Sequence, residues 1–222
     1  MTALVVTALD WARDYAYAAG WQLRHALRRR GADTLSSGSA APVLLIPGVW
    51  ETWQFLRPVA ERLNEAGHPI HVVDDLGYNR GGVREMAAIT ERYLQRHDLH
   101  GVIIVAHSKG GLIGKHVMLG ASGDRIRRMI AIATPFAGSV YANYLPVRTL
   151  RAFRPSDKTI LLLGEGIAAN KRIVSIYPKF DPHIPAGSFL AGARNIELPV
   201  AGHFRILSDP RLLRAVLTNL EG

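Results

Sequence analysis

The chain contains no cysteine, which removes disulfides, thiolate nucleophiles and cysteine-ligated zinc at once. It also lacks any uninterrupted apolar run near the roughly 18 residues that a membrane-spanning helix requires. Asp10, Arg13 and Asp14 interrupt the N-terminal stretch too early for the apolar core of a signal peptide. The expectation is a cytoplasmic protein in a reducing compartment. Nine histidines are present, but none falls in a metal-ligand pattern such as His-Glu-x-x-His, so no metal and no cofactor is expected. Negative charge is scarce, with 18 Asp and Glu against 27 Lys and Arg and a net charge of +9. That balance favours peripheral contact with anionic membrane, or else reflects an arginine-rich solvated surface. No nucleic-acid-binding motif accompanies the charge.

What is there suits one α/β domain. The 222 residues are 48% hydrophobic and 20% charged, enough for a single core. Residues 1–41 read as an N-terminal amphipathic helix with a linker, and 42–222 as an α/β domain. The helix spans residues 3–30. Leu4, Ala8, Trp11, Ala12, Tyr15, Ala19, Leu23, Ala26 and Leu27 form its packing stripe. Arg13, Tyr17, Trp21, Arg24 and Arg28 lie on the opposite face, which could meet anionic lipid or solvent. Residues 31–42, with Ser36-Ser37-Gly38-Ser39, read as a flexible linker.

Strand and helix patterns then alternate. Strands are expected at 43–46, 70–73, 102–105, 129–133, 173–177 and 196–200. Helices are expected at 53–66, 86–96, 111–119, 158–170 and 210–220, the last capped by Ser208 or Asp209. This alternation implies a mostly parallel sheet with helices on both faces. Residues 140–155, with Tyr141, Tyr144, Leu145, Leu150 and Phe153, offer at most a minimal cap or apolar wall, and core packing explains them equally well.

The densest signal is Val102-Ile103-Ile104-Val105-Ala106-His107-Ser108-Lys109-Gly110-Gly111. A buried strand enters a turn whose flanking Ala106 and Gly110 permit a sharp backbone reversal, with a helix beyond it. Ser108 is there either an exposed nucleophile or merely the helix N-cap. Reactive groups in open parallel sheets gather beyond the strands' carboxyl ends. Downstream of Ser108, an acid and a base follow strands at Asp181 and at His203. The order Ser, Asp, His is that of nucleophile-elbow hydrolases. His107 and His183 are rival bases, and Asp74 and Asp75 rival acids.

The chain resembles the α/β-hydrolases, in particular small bacterial lipases and esterases carrying Ala-His-Ser-x-Gly-Gly. The resemblance covers residues 42–220 and rests on Leu45-Ile46-Pro47-Gly48-Val49, the Ser108 turn, Ala133-Thr134-Pro135-Phe136-Ala137-Gly138-Ser139, and the Asp181 and Gly202-His203 loops. It departs from lipases at Pro47-Gly48, where they commonly have His-Gly. The resemblance implies Ser108 as nucleophile, His203 as general base and Asp181 as the acid that orients it. It further implies backbone N–H groups of Val49 and Lys109 as the oxyanion hole, with Trp50 and Phe136 beside the substrate. The implied substrate is a small-molecule ester or lipid with an apolar acyl chain. A thioesterase, an acyltransferase or a non-catalytic ligand-binding relative shares the same residues.

Overall fold

The computed structural model describes residues 11–22, 32–144 and 148–220. The strands are β1 (Val43–Ile46), β2 (Ile70–Val72), β3 (Val102–His107), β4 (Ile126–Ile132), β5 (Ile173–Phe180) and β6 (Arg194–Ala201). They form one sheet in the order β2-β1-β3-β4-β5-β6, and every neighbouring pair is parallel. The helices are α1 (residues 11–22), α2 (Arg57–Glu65), α3 (Val83–Arg96), α4 (Lys109–Leu119), α5 (Arg148–Arg151), α6 (Lys158–Glu165), α7 (Ile167–Asn170) and α8 (Pro210–Leu217).

Alternation along the strands divides the core into two layers. Leu44, Ile46, Ile104 and Ala106 face Leu112, Ile113 and Met118 of α4 and Met86 of α3. Val43, Leu45, Ile103 and Val105 face Leu56, Leu63, Leu212 and Val216 on α8's side. Both faces of the central strands are therefore apolar, as a wholly covered parallel sheet requires. The chain runs from β1 outward to β2, then returns to β1's other side as β3. That reversal makes the crevice beyond the carboxyl ends of β1 and β3 the natural place for a site.

Several expected boundaries move for local reasons. The helix expected at 158–170 is two helices, because Gly166 leaves helical geometry at φ −76°, ψ 56°. The helix expected from Trp53 opens as a 3-10 turn, Trp53–Leu56, before α2. Strand β5 continues past Tyr177 despite Pro178, which sits at a register irregularity where a missing N–H is tolerated. Residues 32–40 are tied down and not loose: Ala32–Leu35 is a 3-10 turn, Asn64 Nδ2 donates to the carbonyls of Leu35 and Ser37, and Ala40 N donates to Gly67 O.

The face of α1 is the largest correction. Asp14 is fully buried while Tyr15 is 49% exposed, and Trp21 and Ala18 pack on the α8-side layer. Ala12 and Ala19, expected inward, are exposed, and Tyr17, expected outward, is half-buried. The parts of the expected helix at 3–10 and 23–30 lie outside the described residues. No helix among the described residues is long and apolar enough to cross a membrane.

Candidate active site

Ser108 joins β3 to α4 with φ 52° and ψ −121°, a conformation that non-glycine residues adopt only under constraint. Its N–H donates to Ile132 O at 2.8 Å. A Cβ on Gly110 would stand 2.1 Å from Ile46 O, and one on Gly111 2.1 Å from Thr134 Oγ1. The paired glycines let the elbow nest between the ends of β1 and β4. Ser108 precedes α4, yet its hydroxyl makes no capping hydrogen bond. It donates instead to His203 Nε2, 3.0 Å away.

His203 Nδ1 donates to Asp181 Oδ2 at 2.8 Å. The other carboxylate oxygen, Asp181 Oδ1, accepts from the backbone N–H of His183 at 2.8 Å and of Ile184 at 3.0 Å. Ser108, His203 and Asp181 are 7%, 4% and 6% exposed. Burial disfavours a charged His203, but the Asp181 carboxylate, with Glu51 and Asp14 beyond it, more than offsets that and raises its pKa above the ordinary imidazole value. Burial opposes ionisation of Asp181 as well, and the charge and hydrogen bond of His203 overcome it, holding that carboxyl below its usual range. Asp181, His183 and His203 bring ligand-type atoms within 4.8 Å of one another. Both ring nitrogens of His203 are nevertheless engaged by Asp181 and Ser108, an arrangement suited to moving a proton from the serine.

The rival residues have other occupations. His107 Nδ1 meets both Glu51 carboxylate oxygens at 2.9 Å, and its Nε2 donates to His203 O at 3.0 Å. His183 Nε2 pairs with Tyr15 OH at 3.0 Å. Burial and the neighbouring His203 push the His183 pKa down to about 4. Asp74 and Asp75 are exposed, Asp75 within 3.9 Å of Arg96.

Two buried acids that the sequence reading did not single out hold the surrounding loops. Glu51, 2% exposed, accepts from Gly48 N at 2.7 Å as well as from His107. It therefore links the loop after β1 to the end of β3 and, through His107, to the His203 backbone. Asp14 accepts from the N–H groups of His203, Phe204 and Arg205, each at 2.9 Å. Neither acid has a spacing or motif that would flag it. The partners of Asp14 are backbone amides about 190 residues away, and those of Glu51 are the nearby Gly48 amide and the ring of His107, 56 residues away.

The loop after β1 carries Val49 beside the elbow. Lys109 opens α4, so its backbone N–H lies in the helix's first turn, where amides have no intrahelical acceptor. The Lys109 ammonium turns away and is held by Asn79 O, Asn79 Oδ1 and Gly81 O at 2.8, 3.0 and 2.5 Å. Burial lowers its pKa to about 8. Trp50 is 39% exposed and, like Ser108 and Ala133, has positive φ, which puts a strained residue at or just beyond the ends of β1, β3 and β4. Phe136 is buried in the core layer beside α4, with the Lys115 ammonium 5.9 Å over its ring. A cavity of about 450 Å³ opens behind Asp181, lined by Trp11, Tyr141, Tyr177, Phe180 and Phe189 among others, and neither Ser108 nor His203 lines it.

No protein-family model matches the chain, and no curated protein matches it. Its structural likenesses are strong. An extracellular α/β-hydrolase from a Paenibacillus species aligns with TM-score 0.55 and 19% identity, covering 81% of this chain and 98% of that one. A monoacylglycerol lipase from Paleococcus ferrophilus aligns with TM-score 0.60 and 15% identity, covering 81% and 93%. A bromoperoxidase from Bacillus anthracis aligns with TM-score 0.60 and 12% identity, covering 84% and 94%. The chain has the α/β-hydrolase fold. In this α/β-hydrolase-fold protein all six strands are parallel, and α1 lies against the loops that end β1, β5 and β6.

Proposed function

We propose that the protein is a serine hydrolase that cleaves carboxylic esters of apolar acyl chains through an acyl-enzyme. The observation that carries this reading is the continuous path Ser108 Oγ to His203 Nε2, and His203 Nδ1 to Asp181, at 3.0 and 2.8 Å. Ser108 Oγ attacks the ester carbonyl as His203 takes its proton, and Asp181 stabilises the imidazolium that forms. The backbone N–H groups of Val49 and Lys109 receive the oxyanion, a contribution of roughly 3 to 4 kcal/mol per donor in comparable sites. Collapse of the tetrahedral species expels the alkoxide, which takes the proton from His203. Water activated by the same imidazole then releases the acid and restores Ser108.

An apolar acyl group is supported by what surrounds the triad. Trp50 borders the oxyanion loop, and Ser139 Oγ donates to His183 O at 2.8 Å. That bond holds the segment bearing exposed Val140, Tyr141 and Tyr144 beside the Asp181 loop. The net charge of +9 supports peripheral contact with anionic membrane, which co-sedimentation with anionic and neutral vesicles tests.

The decisive experiment pairs hydrolysis of p-nitrophenyl esters of increasing acyl length with fluorophosphonate labelling, in the wild type and Ser108→Ala. Turnover and labelling that vanish together in Ser108→Ala uphold the proposal. The raised His203 pKa predicts that kcat/KM climbs with pH through a midpoint above the ordinary imidazole value of about 6.5, because only the neutral base accepts the serine proton. A wild type that neither hydrolyses any ester nor labels refutes it.

A further inference from the structure

The strongest unassigned feature outside the triad is the carboxylate of Asp14 on α1. It has no solvent exposure. Burying a carboxylate is unfavourable unless strong donors surround it, and here the donors are three consecutive backbone N–H groups. Asp14 Oδ2 accepts from His203 N, and Asp14 Oδ1 accepts from Phe204 N and Arg205 N, all at 2.9 Å. The loop is shaped to admit it: Gly202 has φ +113°, and a Cβ there would stand 2.6 Å from Asp14 Oδ1. The same helix touches the rest of the site. Gln22 Nε2 donates to Trp50 O at 3.0 Å in the oxyanion loop, Tyr15 OH meets His183 at 3.0 Å, and the Trp11 ring is 5.3 Å from the His183 ring.

We propose that Asp14 is a positioning residue for the hydrolytic reaction: its carboxylate clamps the backbone of residues 203–205 so that the His203 imidazole stays aligned between Asp181 and Ser108. This inference rests on the triad reading above and extends it to a helix outside the strand-and-helix alternation. Serine-to-imidazole proton transfer needs an orientation held within fractions of an ångström, and a 1 Å displacement can cost about a hundredfold in rate. The His203 ring has no covalent restraint beyond its own backbone, and Asp14 fixes that backbone at its N–H. The His203 carbonyl is fixed separately by His107.

The carboxylate also adds negative charge near the base. Facing His203 are Asp181 beyond β5, Glu51 from the loop after β1, Asp14 from α1, His107 at the end of β3 and His183 in the Asp181 loop. The three acids raise the His203 pKa, so removing one charge moves the acid limb of activity to lower pH. A purely structural role for Asp14 leaves that limb where it is.

The test uses full-length wild type, Asp14→Asn and Asp14→Glu, with thermal unfolding, fluorophosphonate labelling and pH profiles of kcat and KM. Asp14→Asn is expected to fold, to lose tenfold or more in kcat with KM little changed, and to shift its acid limb to lower pH. Asp14→Glu, which keeps the charge, restores the limb toward wild type. A folded Asp14→Asn with wild-type kcat and an unmoved acid limb overturns the inference. Wild type that neither turns over esters nor labels sinks the hydrolase reading and this one with it, whereas an active wild type beside an unchanged asparagine variant sinks this one alone. Should Asp14→Asn fail to fold, amide exchange in the wild type decides: protection at 203–205 matching strand β6 upholds the clamp, and loop-like exchange overturns it.

Discussion

Replacing Glu51 by alanine is the sharpest test of how the loops around the elbow are held. The carboxylate is 2% exposed and accepts from Gly48 N at 2.7 Å and from His107 Nδ1 at 2.9 Å. Alanine offers neither donor an acceptor, and the space is too deeply enclosed for bulk water to serve freely. Each donor left unmet inside a protein costs about 1 to 3 kcal/mol. Losing the buried Cγ methylene adds about 1 kcal/mol. The sum, about 3 to 7 kcal/mol, brackets the roughly 3 to 5 kcal/mol that breaking one side of a buried hydrogen-bonded pair costs elsewhere. Set against a typical total stability of about 5 to 15 kcal/mol, Glu51→Ala should leave a marginal protein. Glu51→Gln keeps one acceptor but turns an amide N–H₂ toward a donor, for a loss of about 1 to 3 kcal/mol. Urea unfolding at pH 7, followed by circular dichroism, measures all three proteins. An alanine variant within about 1 kcal/mol of wild type refutes the argument, because the two donors must then find other partners at no cost.

Two further expectations concern buried titratable groups. His183 takes up a proton at about pH 4 when folded but near 6.5 when unfolded. Between those values the unfolded chain binds more protons, so stability falls as pH drops, by up to about 3 kcal/mol. In urea unfolding at pH 7 and pH 4.5, His183→Gln should lose less stability over that range than wild type, and equal losses would contradict the assignment. Lys115 is 1% exposed with its ammonium over the Phe136 ring, and burial lowers its pKa to about 8. Lys115→Met keeps the volume without the charge and should stabilise the protein by roughly 1 to 2 kcal/mol at pH 7. A destabilised methionine variant would mean that the ammonium has a favourable role.

The strands were legible because β1, β3 and β4 carry continuous apolar runs that only a doubly covered sheet accommodates. The elbow was legible because a strand, two small residues and a serine occur in one short segment. Ser108, Asp181 and His203 follow strand ends, and the sheet's parallel order brings those ends to one edge. The inward face of α1 was not legible. Hydrophobic periodicity counts Tyr15 and the alanines as core and counts Asp14 as solvent. The real packing is set by a carboxylate that finds backbone donors near the other end of the chain. Glu51 was hidden for the same reason, since its partners are a backbone amide and a histidine 56 residues away.

The bond between Asp14 and the His203 amide spans 189 residues, and that separation sets an order of events during synthesis. Domains form from the N-terminal end as the chain emerges, so α1 is made long before the loop whose N–H groups donate to its carboxylate. Until β6 and the residues after it leave the ribosome, α1 carries a carboxylate with no amides to meet and has little reason to dock. Docking of α1 and fixing of the His203 backbone are thereby one closing step, and a nascent chain that already displays the serine elbow lacks the Asp14 bonds to residues 203–205 until that step is complete.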